Sequence, residues 1–235
     1  MAGFHPADAG FKSRRHRHLF NPGRPCTGAA PNNNFIYQFT MEFNEFPKMA
    51  RLSRECIVTE KIDGTNAQII KEGDVLIAGS RTRYISPAED NHGFAAWVEE
   101  HREELLTLPD GRHFGEWWGR GIQRSYGLKE KRFSLFNVLR FHLHGETPRE
   151  EATADPRIVK TTIELPPCLG LVPLLRRGIF CTAMIEEALE ELKLGGSRAV
   201  PGFMRPEGVV CYHIAAGVGF KKTIEKDEVP KTKAK

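Results

Sequence analysis

Lys61 is the residue of this 235-residue chain whose setting points most directly to chemistry. It stands in Glu60-Lys61-Ile62-Asp63-Gly64-Thr65-Asn66, at the end of a β-rich run and directly before an Asp-Gly turn. A lysine placed so is held rigidly, with its amine directed into whatever cleft the sheet lines. An amine with an ordinary pKa of ~10.4 is protonated at neutral pH. It becomes a nucleophile only where neighbouring cations or desolvation favour its neutral form. Arg81, Arg83, Lys221 and Lys222 are the cations that could do this while also holding a phosphate. Glu116 and Glu207 each adjoin a glycine, in Gly115-Glu116 and Glu207-Gly208. Two carboxylates suffice for a Mg²⁺ ion that takes its remaining ligands from substrate phosphates.

The pattern Lys61-x-Asp63-Gly64-x-Asn66 resembles motif I of the covalent nucleotidyltransferases, the polynucleotide ligases and mRNA capping enzymes. Further elements follow in the order of that superfamily. Gly79-Ser80-Arg81-Thr82 comes next. Phe114-Gly115-Glu116-Trp117-Trp118-Gly119 is similar to motif III, whose glutamate meets the nucleotide ribose. Ser134-Leu135-Phe136-Asn137-Val138 is similar to motif IIIa, whose aromatic ring stacks on the purine. Glu207-Gly208-Val209-Val210 is similar to motif IV, and Gly219-Phe220-Lys221-Lys222 to motif V. An ordered set of this kind is far more specific than any one member.

The resemblance implies an ATP-dependent RNA ligase of the phage T4 RNA ligase 2 type. Asn66 stands where DNA ligases commonly carry arginine. Only 13 residues follow Lys222, too few for the C-terminal OB domain of DNA ligases and capping enzymes. The implied substrates are ATP and RNA with 5′-phosphate and 3′-OH ends, with Mg²⁺ as the metal and Mn²⁺ as a substitute. Lys61, Glu207 and Lys221 would be catalytic. Glu60, Ile62, Asn66, Arg81, Glu116, Phe136, Lys221 and Lys222 would bind the nucleotide, and Glu207 and Glu116 the metal. A minimal DNA ligase, another nucleotidyltransferase, and a catalytically silent nucleotide- or RNA-binding module are the alternatives. The chain departs from the pattern in two places. Asn137 replaces an aspartate, and the two motif V lysines are adjacent rather than one residue apart. Adjacent residues of a strand face opposite sides, so one lysine alone can line the cleft. Phe220 shares the side of Lys222 and is expected to seek the core, which favours Lys221 for the phosphate.

The elements expected to position these residues are mostly short strands. Residues 56–61, 66–71 and 75–78, separated by Asp63-Gly64 and Glu72-Gly73-Asp74, predict an antiparallel meander. Phe35–Phe39 predicts an earlier strand and Phe133–Phe141 a buried one. Val209–Ile214 and Val218–Thr223 predict a late pair. Phe94, Trp97, Val98, His101 and Leu105 fall on helical spacing, and a second amphipathic helix runs from Met184 to Leu194, closed by Gly195-Gly196. Gly145–Arg157 reads as a surface loop. The pattern is α+β, antiparallel sheets with flanking helices around an ATP cleft, rather than strict strand-helix alternation.

Composition narrows the setting. With 40% hydrophobic and 27% charged residues the chain can bury a core. No apolar run is long enough for a membrane span, and no secretory signal is expected. Five scattered cysteines without a CxxC pair suit a reduced, cytoplasmic protein. The net charge of +4 resides wholly in residues 1–34, where Lys12, Arg14, Arg15, Arg17 and Arg24 oppose Asp8. These residues read as a flexible basic arm, 35–225 as the nucleotidyltransferase domain and 226–235 as a charged tail. The body is neutral overall, so any affinity for nucleic acid there must come from local patches. Gly119-x-Gly121 lacks the remainder of a dinucleotide loop, no P-loop occurs, and His142-x-His144 has no evident third metal ligand.

Overall fold

The run Cys56-Ile57-Val58 buries both of its faces, and that is what places Lys61 between layers. The computed structural model describes residues 45–152 and 159–227. Its strands and helices are, in chain order, β1 (Glu55–Lys61), β2 (Thr65–Glu72), β3 (Val75–Ser80), α1 (Phe94–Glu100), α2 (Arg102–Leu105), β4 (Gly111–Gly119), β5 (Lys131–Leu135), β6 (Phe141–His142), β7 (Glu150–Ala152), β8 (Val159–Thr161), β9 (Ile163–Glu164), β10 (Leu169–Leu171), β11 (Leu174–Ile179), α3 (Thr182–Gly195), β12 (Gly208–His213) and β13 (Val218–Thr223). The predicted strand at Phe35–Phe39, the basic arm and most of the C-terminal tail lie outside the described residues.

Two sheets dominate. The first has the order β11-β1-β12-β13 and the second β10-β5-β4-β2-β3. All of their neighbours are antiparallel except β10 and β5, which run parallel. The α+β expectation therefore holds. One face of the first sheet, with Cys56, Val58, Val209 and Cys211, packs on Ala188, Leu189 and Leu192 of α3. One face of the second, with Ala67, Ile69, Trp117 and Phe133, packs on Phe94, Ala95 and Val98 of α1. The remaining faces join through Ile57, Ile62, Trp118, Tyr126, Val138 and Val172. Trp117 and Trp118, adjacent on β4, are both buried because the C-terminal end of β4 is covered on both faces.

The helix ends follow local chemistry. Asp90 accepts from the Ala95 and Ala96 N–H groups at 2.8 and 3.0 Å, which satisfies the open end of α1. Gly196, at φ 78°, closes α3 with its N–H on the Leu192 carbonyl.

The structure corrects five expectations. The first three strands are not a meander, because β1 pairs with β11 and β12 while β2 pairs with β3 and β4. Asp63-Gly64 is a crossover between the sheets rather than a hairpin turn. Its N–H groups go to side chains, Asp63 to the Tyr126 hydroxyl at 2.9 Å and Gly64 to Glu116 Oε1 at 3.0 Å. The strand predicted over Phe133–Phe141 ends at Leu135 and resumes as β6. The helix predicted through Leu105 bends at His101 into two. The loop predicted over 145–157 contains β7, which pairs with β8.

Candidate active site

Lys61 ends β1 in register with Gly208, the first residue of β12. That pairing sets Glu207, one residue earlier, beside the lysine. Lys61 Nζ donates to Glu207 Oε2 at 2.6 Å; Glu207 is 2% exposed and the lysine 20%. Gly208 could not be another residue here. A Cβ on it would lie 2.2 Å from the Lys222 carbonyl oxygen, so glycine lets β13 close against β12 at the end beside Lys61.

Gly64 does the same for the second sheet. Its Cβ would lie 2.5 Å from the Trp117 carbonyl and 2.7 Å from Trp118 Cβ. The tight crossover brings Glu116, on β4, under the chain that follows Lys61. Glu116 accepts from Gly64 N–H at 3.0 Å and from Asn66 Nδ2 at 3.3 Å. Burial is the main cause that pushes its carboxyl up to about 7, and the neighbouring Glu207 and Asp63 charges push the same way. The Lys61 charge and the Gly64 hydrogen bond oppose them.

The cleft between the sheets has a volume of about 960 Å³ and a lining that includes Lys61, Ile62, Asn66, Arg81, Glu116, Phe136 and Lys221. Phe136, 40% exposed, stands just beyond the end of β5 with its ring available. Lys221 and Lys222 diverge as the two-residue period requires. Lys221 lines the cleft, whereas Lys222 Nζ donates to Glu186 on α3. Phe220 does not seek the core as expected: its ring is 56% exposed. β13 is the edge of its sheet and extends beyond the cover of α3 there.

Three of the sequence candidates behave differently from the expected cation-rich phosphate pocket. The Glu60 carboxylate, 1% exposed, accepts from Ser197 Oγ, Arg198 N and Ala199 N at 2.6, 2.7 and 2.9 Å. Burial raises its pKa nonetheless. Glu60 borders the cleft with its acid group committed to that loop. Arg83 pairs with Glu89 at the surface, and Lys222 is held by Glu186, so Arg81 and Lys221 are the expected cations that remain at the cleft. The charge nearest Lys61 is that of Glu207.

A loop that the sequence did not single out braces the site. Gln123, Ser125 and Tyr126 all have positive φ, 45°, 56° and 51°, which folds residues 123–126 tightly beneath the crossover. Arg124 Nε donates to Asp63 Oδ2 at 3.0 Å, and its Nη1 donates to the Arg205 carbonyl at 2.9 Å. One guanidinium thus ties the segment after Lys61 to the segment before Glu207. No periodic signal marks such a residue, because its role depends on left-handed loop geometry.

Among the described residues no group of three or more His, Cys, Asp or Glu gathers to cage a metal. His142 is buried against Thr162 and His144 pairs with Glu164, so this pair makes no metal centre. Glu116 and Glu207 lie close enough for their charges to interact, and Lys61 lies beside both. Two carboxylates fit a Mg²⁺ or Mn²⁺ ion completed by substrate phosphates and water. No helix of the described residues is long and apolar enough to cross a membrane.

The sequence model of the RNA ligase family matches residues 54–226. Among solved structures, a mutant Naegleria gruberi RNA ligase with ATP and Mn is 20% identical, with a TM-score of 0.46 over 74% of this chain and 51% of that one. A second mutant of that ligase, with AMP and Mn, is also 20% identical, with a TM-score of 0.46 over 73% and 50%. The chain spans about half the length of these structures. Its match to the family model, from just before β1 to just after β13, carries the assignment: the chain belongs to the RNA ligase family.

Proposed function

We propose that the protein is an ATP-dependent RNA ligase that joins RNA 5′-phosphate and 3′-OH ends through a lysyl-AMP intermediate. The observation that carries this reading is Lys61, held 2.6 Å from the buried Glu207 and lining a cleft that Arg81, Lys221 and Phe136 also border. An ammonium has no lone pair. Lys61 must give up one proton before it attacks the ATP α-phosphorus, and the new nitrogen sheds a second as the bond to pyrophosphate breaks. Glu207 is the carboxylate within reach of both protons. Lys221 and Arg81 face the cleft where charge would build on the phosphoryl oxygens, and Phe136 offers a ring to the base. Glu116 and Asn66, bonded to each other, meet the ribose side. The metal, held by Glu207 and Glu116 with the phosphates, would offset negative charge at the reacting phosphorus. The AMP then passes to the RNA 5′-phosphate, and attack by the 3′-OH on that activated end releases AMP. Splitting one difficult displacement into successive transfers is what the covalent lysine contributes. The four cysteines among the described residues are free, which supports a reduced, cytoplasmic setting.

The test is transfer. Protein labelled with α-³²P-ATP and then given 5′-phosphorylated RNA should pass its label to the RNA, and a sealed product should follow. Preferential sealing of DNA nicks would favour the minimal DNA ligase. Absence of any covalent label would favour the silent binding module.

A further inference from the structure

The face of the second sheet that borders the cleft does not stop at Glu116. It continues along β4 through Phe114 to Arg112, which line the far part of the same cleft, and across β2 and β3 through Gln68, Ile70 and Ile77. Each two-residue step along β4 advances about 6.8 Å, so Arg112 stands some 13–14 Å from Glu116. Phe114 is 52% exposed and Tyr84 is 58% exposed. Large rings this open on a sheet face are not serving the core. Arg112 lies between them. Its Nη1 donates to Gln68 Oε1 at 3.1 Å and its Nη2 donates to the Tyr84 hydroxyl at 3.3 Å. Both partners are neutral, and among the described residues Arg112 makes no ion pair, so its charge stays available. From Glu116 as far as Arg112 this face carries no carboxylate; Glu72 marks its far end.

We infer that Phe114, Arg112 and Tyr84 form a track for single-stranded RNA leading away from Lys61. The inference rests on the RNA-joining reading and extends it to residues that carry no role in the nucleotide site. Aromatic faces for bases alternating with cations for phosphates is the chemistry of single-strand binding. It also answers where a neutral body obtains its affinity, since the net charge lies entirely in residues 1–34. Continuity with the cleft favours a strand that enters the site. The backbone N–H of Phe136 donates to the Phe114 carbonyl at 3.0 Å, so the track begins beside the ring offered to the nucleotide.

Two measurements on the full chain test the track: fluorescence anisotropy with a 5′-phosphorylated single-stranded RNA, and the single-turnover rate of lysyl-AMP formation. Phe114→Leu keeps apolar bulk and removes the ring; it should weaken RNA binding by roughly fivefold or more. Phe114→Trp should restore it. Arg112→Gln should lower the log–log salt slope by about 0.7. Lysyl-AMP formation should be unchanged in all three. Unaltered RNA affinity in both Phe114→Leu and Arg112→Gln would overturn the track. So would loss of lysyl-AMP formation in Phe114→Leu, which would place that ring in the nucleotide pocket. If the wild-type protein forms no lysyl-AMP, the ligase reading falls instead, and the binding arm still decides whether the face holds RNA.

Discussion

Replacing Glu116 with glutamine tests whether the site is strained by a buried acid. Glu116 is 8% exposed, and its carboxyl is pushed up to about 7 from an ordinary 4.5. The folded protein therefore holds this proton more tightly than the unfolded chain does. The resulting stability is complete below pH 4.5 and is lost as pH rises through 7. A difference of 2.5 units corresponds to about 3 kcal/mol, of which about 2–3 kcal/mol is lost between pH 5 and pH 8. Glutamine carries no such titration. It keeps an acceptor for Gly64 N–H and sacrifices one for Asn66 Nδ2, a cost that does not depend on pH. Thermal unfolding of both proteins at constant salt is the assay. Relative to wild type, Glu116→Gln should gain roughly 5–10 °C in Tm on going from pH 5 to pH 8. Parallel curves for the two proteins across that range would refute the reasoning.

Other perturbations separate the roles assigned to the site. Lys221→Ala should slow lysyl-AMP formation by on the order of 10²-fold, while Lys222→Ala, which removes a surface pair with Glu186, should change it far less; single-turnover rates at saturating ATP decide the ranking. Gly64→Ala should destabilise the fold by about 1–3 kcal/mol in chemical denaturation, because its Cβ would meet the Trp117 carbonyl at 2.5 Å. Deleting residues 1–33 should leave lysyl-AMP formation intact. If the basic arm reaches the RNA, the deletion should also flatten the log–log salt dependence of RNA binding, by about 0.7 for each phosphate that the arm neutralises.

What could be read from the sequence follows from how local each feature is. The setting of Lys61 is written in seven adjacent residues, and the divergence of Lys221 from Lys222 follows from the period of a strand. Most strand and helix positions were legible for the same reason. The partner of β1 was not. Asp63-Gly64 has the composition of a hairpin turn, but pairings with Gly208–His213 and Leu174–Ile179 more than 100 residues away override it. The brace formed by Arg124 was equally hidden, since it depends on three non-glycine residues at positive φ. Phe220 misled because hydrophobicity suggests burial without telling an edge strand from a central one. The cation cluster inferred around Lys61 was too large, because charge counts along a sequence do not say that Arg83 and Lys222 already have acidic partners elsewhere.

The central claim is that Lys61 is the residue that becomes covalently bound to AMP. Its most direct test is to incubate the protein with ATP and Mg²⁺, digest it under conditions that preserve a phosphoramidate, and map the adduct by mass spectrometry. An AMP adduct on the Lys61 side chain, absent from a folded Lys61→Ala protein, is the predicted result. An adduct on another residue, or undiminished labelling of Lys61→Ala, would contradict the account.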